Sequence, residues 1–556
     1  MLFKISPCFI IASSVLHFTF TAFIYLTKEY RERLSEMIEE RGQNISLGAS
    51  ENTKRFFYNG ILLTALGISM RTVSLFFYAF ITRTIGAEGV GLYTVVNTVY
   101  GFSVTFATAG ISLTVTRLVA SARGEGREES VPRILSGAIL YALCFSTVAA
   151  LVLYFGAGSF AAAVLDDIRA ASSLRILAPS LVPLSLVSVF SGYFIGIKKV
   201  ARNAITQVIG QSFKICATVW LCHNAAPLGV ERSAMMLSLG TTVTEIVCFT
   251  VIFFEFLLER RGSRGERGAD LVSVARVAAP LGISAYIRQA LLTIEHIIIP
   301  KRLRVYGSSH GEALSAYGTL HGMALPMILY PMVTLSSFSG LLVPEFAERE
   351  SADDKAGMRR LAERAFATTL VYAVLSAALL FVFSEELGYV VYKSRDAGTY
   401  IAALASVVPI MYLDHVTDSV LKGIGEQVYS MWVNITDSLL SIFLVWLLIP
   451  KMGIMGYAVC IIAMEAYNFT LSLVRLCKRI RFRIPLLASV VFPAASALVS
   501  GFLVKRLFIS AGRETSSLWL TLEIIFAVCV FAGSYRGVML IYDGARIKIK
   551  NHSASC

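Results

Sequence analysis

Some fourteen long apolar stretches, each wide enough to cross a bilayer, run end to end through this 556-residue chain with almost no polar sequence between them. A hydrocarbon core of about 30 Å needs about 20 apolar residues as a helix. The stretches lie near 60–82, 90–115, 134–156, 174–196, 203–222, 233–257, 271–299, 316–343, 366–390, 398–421, 430–450, 453–476, 484–504 and 517–541. Backbone polar groups in lipid must be satisfied within the chain, so long runs that do not alternate are helices rather than barrel strands. The expected fold is an all-α polytopic membrane protein of about 14 transmembrane helices. Only 16% of residues are charged, against about 25% in a soluble domain. The longest polar connection, 27–59, leaves no room for a soluble domain, and soluble enzymology is excluded.

The net charge of +13 would suggest nucleic acid in a soluble protein. Here it reads as loop Lys and Arg facing anionic membrane lipids, with no nucleic-acid partner. Basic residues crowd the loops after spans 2 (Arg117, Arg123, Arg127, Arg133), 4 (Lys198, Lys199, Arg202), 6 (Arg260, Arg261, Arg264, Arg267), 8 (Arg349, Lys355, Arg359, Arg360, Arg364) and 12 (Arg475, Lys478, Arg479, Arg481, Arg483). The positive-inside rule puts these loops and both ends of the bundle, including the C-terminus, in the cytoplasm. Some outer loops dissent: Lys393 with Arg395, Lys505 with Arg506, and most strongly Lys301, Arg302 and Arg304. Residues 8–26 are apolar enough to span or to imitate a signal peptide, so an extra N-terminal helix stays open beside an interfacial segment. Cys144, Cys216, Cys248, Cys460 and Cys529 lie in apolar runs with no CxxC or Cys/His cluster. They read as buried free thiols, with no metal site.

Two stretches align at an offset of 226: Val182, Pro183, Ser212, Val219, Trp220 and Leu221 against Val408, Pro409, Ser438, Val445, Trp446 and Leu447. Tyr93 relates to Tyr317 at 224. The expected organisation is an extension at 1–55, a six-helix lobe at 56–262, a second at 263–483, and two further helices with a tail at 484–556. Six helices per repeat preserve orientation, so the lobes are parallel repeats able to rock about a central cavity. Pro179, Pro183, Pro280, Pro326, Pro331 and Pro409 fall where a span could bend.

Ionisable residues inside spans cost at least about 2.5–3.5 kcal/mol each at mid-membrane, so each should face a partner or a wet cavity. They are Arg71, Lys214, Glu245, Arg288, Glu295, His321, Asp414, Asp418, Asp437 and Glu465. Arg71 sits midway along span 1 with no acid one turn away, a cavity cation for an anionic substrate or half of an ion pair between helices. Arg288 and Glu295, seven apart, share a helix face. Asp414 and Asp418 also share one, and repel unless both reach the interface near Lys422. Lys214 and Glu245 suit a pair between helices, and His321 a hydrogen-bonded packing residue more than a proton carrier.

These residues carry a resemblance. Ile85-Gly86-Ala87-Glu88-Gly89-Val90-Gly91-Leu92-Tyr93 resembles the first-loop signature of the stage V sporulation protein B group, and so does Ala109-Gly110-Ile111 followed by Thr116-Arg117-Leu118-Val119. Ile299-Pro300-Lys301-Arg302-Leu303, Tyr317-Gly318, Gly322-Met323-Ala324-Leu325-Pro326, Leu342-Val343-Pro344, Gly423-Ile424-Gly425 and Gly453-Ile454-Met455-Gly456 continue it in order. The resemblance covers about 54–545 and includes the dissenting Lys301-Arg302 pair. The group belongs to the multidrug/oligosaccharidyl-lipid/polysaccharide (MOP) exporter superfamily.

The resemblance implies two six-helix lobes, alternating access, and a flippase for undecaprenyl-pyrophosphate-linked sugars in the bacterial cytoplasmic membrane. Sporulation members are associated with spore cortex peptidoglycan. Arg71 matches the first arginine of related lipid II flippases, but Phe77 and Tyr78 replace their following Arg-Asp pair, and Glu295 replaces a usual aspartate. The expected site residues are therefore Arg71, Arg288, Glu295, Lys214, Asp414 and Asp418, with the two arginines gripping the head. No GxxxxGK[ST] occurs, so no nucleotide cofactor is expected. The expected partners are a lipid-linked glycan, membrane lipids and cell-wall synthesis enzymes, with the chain itself a monomer. The rivals are a cation-coupled multidrug exporter and a non-transporting scaffold.

Overall fold

The structure is a computed structural model. It describes the backbone of 47–554 except 109, 198, 226–228, 260–267, 483–486 and 511–516. The side chains of 47–69, 71, 222–225 and 543–554, with a few isolated ones, also lie outside the described residues. The extension at 1–46 and the basic loop at 260–267 are among the positions not described.

Every regular element among the described residues is helical. The long helices are α1 (Leu47–Thr108), α2 (Ile111–Gly124), α3 (Val131–Ser159), α4 (Ala170–Leu177), α5 (Leu181–Gly196), α6 (Val200–Ala225), α7 (Val230–Glu259) and α8 (Leu271–Tyr306). After these come α9 (His310–Thr319), α10 (Leu325–Leu329), α11 (Met332–Ser351), α12 (Lys355–Val382), α13 (Ser384–Tyr392), α14 (Arg395–Ala405) and α15 (Val408–Gly423). The chain closes with α16 (Gln427–Met452), α17 (Ile454–Arg479), α18 (Phe492–Ser510) and α19 (Ser517–Ala554).

Among the described residues, nine helices are long and apolar enough to cross a membrane, or twelve when each of three bent pairs counts as one span. The expected fourteen exceeds that in two places. One counted helix, Thr72–Gly124, has 53 residues, which at about 1.5 Å per residue is over twice a bilayer core. It runs through Gly86, whose φ of 74° and ψ of 174° are non-helical. The other is α6, whose Arg202 and Lys214 make it more polar than its neighbours.

Prolines mark the bends, because each removes a backbone donor and crowds the preceding turn. The segments Leu271–Pro280 and Ala285–Tyr306 meet at 47°, the two sides of Pro331 at 54°, and α14 and α15 at 59° just before Pro409. Pro179 sits in a 3₁₀ turn between α4 and α5. The backbone also repeats: Gly126 and Asp353, and Asp166 and Lys393, all have positive φ and are separated by 227 positions within each pair. Both repeats therefore turn at the same places, one residue from the offset legible in the sequence.

Two compact units divide the chain. One takes Phe80–Gly322 and Ser438–Tyr457; the other takes the residues up to Ala79, Met323–Asp437 and Ala458–Cys556. The first has a core of Ile111, Val115, Phe190, Phe194 and Phe256 from α2, α5 and α7, joined by Tyr141 of α3. The second has Phe346, Phe366, Val416, Val420 and Leu476 from α11, α12, α15 and α17. In the second unit α18 and α19 dock on α12 through Val371, Leu375, Ala497, Val528 and Phe531. Large apolar side chains face outward throughout, as on Phe155, Trp220 and Phe254, where lipid rather than water is the solvent. The same fact corrects the expectation of buried thiols. Cys460 is buried, but Cys144, Cys216 and Cys529 are free and exposed on helix surfaces.

Candidate functional site

At one end of the first unit, loops from the two sequence repeats lock together. Gly86 lets α1 turn and present Glu88. After α3, a π-helical turn (Phe160–Leu165) ends at left-handed Asp166 and leads into Asp167, which is buried, and Arg169. From the other side α8 ends at left-handed Gly307, and a capping box of Ser309 and Glu312 starts α9 at His310.

Arg169 bridges two carboxylates, at 2.9 Å from Glu88 and 2.8 Å from Asp167. His310 Nε2 reaches the same Asp167 carboxylate at 2.8 Å. Arg304 pairs with Asp166. Burial alone would raise the Asp167 carboxyl, but hydrogen bonds from Arg169 and His310 outweigh it and hold it below its usual value. Hydrogen bonding to Asp167, helped by Glu88 and opposed by burial, pushes the Arg169 guanidinium further above its own.

The three dissenting basic residues all have places here. Lys301 donates to the Ala163 carbonyl at 3.3 Å. Arg302 donates to the Trp446 carbonyl at 2.9 Å and lies 4.8 Å over the Trp446 ring. A cleft of about 770 Å³ lies between these groups, lined by Asp166, Lys301, Arg304, Ser308, Ser309 and His310. Asp166, Asp167 and Arg169 are loop charges that the sequence does not single out. The available signal was the run of basic residues on an outer loop, which the positive-inside rule disfavours.

Behind this network α1 and α9 meet backbone to backbone. A Cβ at Gly91 would lie 2.0 Å from the Leu314 carbonyl oxygen, and one at Gly318 2.5 Å from that of Ala87. Small residues allow such approaches between membrane helices. Gly91→Val should therefore lower the melting temperature of the detergent-purified protein, overpacking costing about 1–3 kcal/mol. Gly340→Ala, with open space around its Cβ, should leave it unchanged.

The expected site residues fall into separate settings. The Arg71 side chain lies outside the described residues. Arg288, at the middle of α8, is exposed with no hydrogen bond or ion pair among the described residues. Glu295 is buried, 9% exposed, and accepts from Ser441 of α16 at 2.7 Å rather than pairing with Arg288. Lys214 of α6 lies within electrostatic reach of Glu245 on α7.

In the second unit, Asp418 pairs with Lys422 at 2.6 Å and accepts from Ser430. Asn434 and Asn468 extend that polar strip across α16 and α17. Asp414, one turn deeper, has its Oδ1 buried without a hydrogen-bond partner, and sits within electrostatic reach of Asp437 on α16 and Glu465 on α17. These three acids from neighbouring helices stand about 15 Å along their helices from Gly423, Gln427 and Arg475. Glu426, hydrogen-bonded first by Arg475 and then by Arg479 against the cost of burial, is held below the usual carboxylate value.

Apolar helices here hold charge inside them, and ion pairs join the loops at one end of the first unit. The polysaccharide biosynthesis protein model matches residues 56–350, and the MatE model matches 305–447. Stage V sporulation protein B of Bacillus subtilis (strain 168) is 26% identical over 74% of this chain and 81% of its own. Sporulation protein YkvU of the same organism is 18% identical over 63% and 78%. Among solved structures, the lipid II flippase MurJ in an inward closed conformation superposes with a TM-score of 0.67 at 13% identity, covering 86% of this chain and all (100%) of that one. An inward-facing multidrug resistance MATE family transporter of the MOP superfamily gives 0.63 at 13% identity, covering 75% and 98%. With the fold of those solved structures and a family model matched over 56–350, this chain belongs to the polysaccharide biosynthesis protein family, as a multi-pass membrane protein.

Proposed function

We propose that this chain moves a lipid-linked glycan with a pyrophosphate head across the bacterial cytoplasmic membrane by alternating access. The observation that carries the anionic head is Arg288, exposed and, among the described residues, unpaired at the middle of a membrane helix. A cation there is costly in lipid, so it faces water or an anion. Guanidinium binds phosphate bidentately, and Arg71 is the second group assigned to the head. The lipid tail stays in the bilayer while the head crosses. An inside-negative potential favours outward movement of an anion by about 2.3 kcal/mol per charge per 100 mV.

On this reading the lobes are 56–262 and 263–483, the C-terminus is cytoplasmic, and the ion-paired loops around Arg169 close the outer face. The names of the Bacillus relatives support a part in sporulation; on the proposed reading the substrate is a precursor of spore peptidoglycan, with membrane lipids and cell-wall synthesis enzymes as neighbours. One observation favours a second reading. Asp414, Asp437 and Glu465 form a half-buried acidic group within electrostatic reach of one another, as a cation-coupled multidrug exporter would need.

Lipids extracted from the gently purified protein decide between them. Mass spectrometry is expected to find polyprenyl-pyrophosphate-linked sugar at a level near one per chain. Its absence, together with efflux of cationic dyes from cells expressing the protein, would establish the second reading instead.

A further inference from the structure

Two imidazoles lie stacked inside the first unit, and nothing in the reading above uses them. His296 of α8 and His321, in the π-helical turn Leu320–Ala324 that follows α9, have ring centroids 4.5 Å apart at 19°. Tyr317 Oη bonds His296 Nδ1 at 3.2 Å, and the Tyr317 ring meets His321 edge-on at 5.3 Å. His321 Nδ1 is buried with no hydrogen-bond partner among the described residues. A buried polar atom left unsatisfied costs about 1–3 kcal/mol, and a native fold that retains one needs a reason. The π-turn is a second sign, since such bulges cluster at functional positions.

The surrounding titratable groups are already engaged. Tyr317 is the one that touches the pair. Glu295, the residue before His296, turns to Ser441. On α1, which packs against α9 at Gly91, Glu88 is held by Arg169 and Tyr93 is bonded to Thr241 at 3.3 Å. Arg288 is about two turns back along α8 and exposed. No carboxylate touches either ring among the described residues. The neutral stack therefore fits the present state, and a proton on it would have no counter-charge beside it.

We propose that the His296–His321 pair binds one proton in each transport cycle, so that a proton is a coupling cation of this carrier. The proton adds to a ring nitrogen lone pair, with His321 Nδ1 as the open acceptor, and leaves again from the same atom. A group whose two protonation forms prefer different conformations ties proton binding to the conformational change. Here the protonated pair prefers a state in which α8 and α9 separate and water reaches the rings. The inference rests on the alternating-access reading and names an ion for it.

Hydrogen–deuterium exchange at the imidazole C2 position requires a ring to protonate, and mass spectrometry reads it at each histidine without any transport substrate. The full chain in lipid nanodiscs is the sample, and His310, at the loop closure, is the internal standard for an accessible ring. His296 and His321 are expected to exchange with a sigmoidal pH profile across the range in which imidazole titrates. Opening the loops with Arg169→Ala should accelerate both by on the order of ten-fold, by population of the wetted state. His321→Asn should move the midpoint of His296. In vesicles, His321→Asn should remove stimulation by a pH gradient while potential-driven flipping persists. Silence of both rings in wild type and in Arg169→Ala, while His310 exchanges, would show a dry packing pair and overturn the proposal. Recovery of lipid-linked sugar from that same sample would leave the flippase reading standing, so the two failures are distinguishable.

Discussion

Arg169→Ala should shift the loop closure toward its open form by on the order of 100-fold. The residue holds two carboxylates at once, Glu88 and Asp167. The Asp167 side chain is only 6% exposed, and removing the partner of a buried charge costs about 3–5 kcal/mol. The Arg169 side chain is 30% exposed, which places the effect at the lower end of that range. Membrane-impermeant maleimide labelling of a cysteine introduced at Ser308, in the neighbouring cleft, is the measurement. Faster labelling in intact cells is expected for Arg169→Ala, and an intermediate rate for Arg169→Lys, which keeps the charge but loses the planar fork. Equal labelling of a properly inserted Arg169→Ala protein would show that these pairs do not hold the face shut. The pH dependence follows from Asp167. Its carboxyl lies below the ordinary value of 3.8 in the folded state. The stabilisation is therefore fully present above that value and lost as pH falls through the lower folded one.

Arg288→Gln should slow head-group flipping by roughly 10- to 100-fold, because a hydrogen bond to a charged group contributes about 1.5–3 kcal/mol. The lysine variant should fall between, keeping a point charge without bidentate geometry. The assay is chemical quenching of a fluorescent undecaprenyl-pyrophosphate disaccharide in reconstituted vesicles. The thermal stability of the variant should not fall, since Arg288 makes no pair among the described residues that its loss would break. A normal flipping rate in Arg288→Gln would remove this residue from the head-group site.

Much of this was legible before any coordinates. A run of apolar residues is a local property, and lipid leaves it one backbone solution, so helix, membrane and the approximate boundaries follow from the chain itself. The repeat was suggested by matches such as Pro183 with Pro409, although Pro409 stands at a 59° bend while Pro183 lies within the unbroken span Ala170–Gly196. The functional use of charge was legible only in part. Arg288 stands out in the sequence because a cation in hydrocarbon is anomalous wherever it points. Lys301, Arg302 and Arg304 also stood out, but their partners Ala163, Trp446 and Asp166 are about 140 residues away.

Those partners were decided by tertiary structure alone. Whether Arg169 meets Glu88, Asp167 meets His310, or Glu295 meets Ser441 depends on how separate helices pack, and nothing in local composition fixes that. The close approach of α1 and α9 likewise needs Gly91 and Gly318 to face each other across the fold. The stacked histidines belong to the same class: each looks like an ordinary packing residue until the other is seen 4.5 Å away. Hydropathy determined that this chain lives in the membrane, because transfer from water acts on each segment by itself. Packing decided which charges neutralise one another and which are left to act, because electrostatic energy depends on distances that only the assembled helices set.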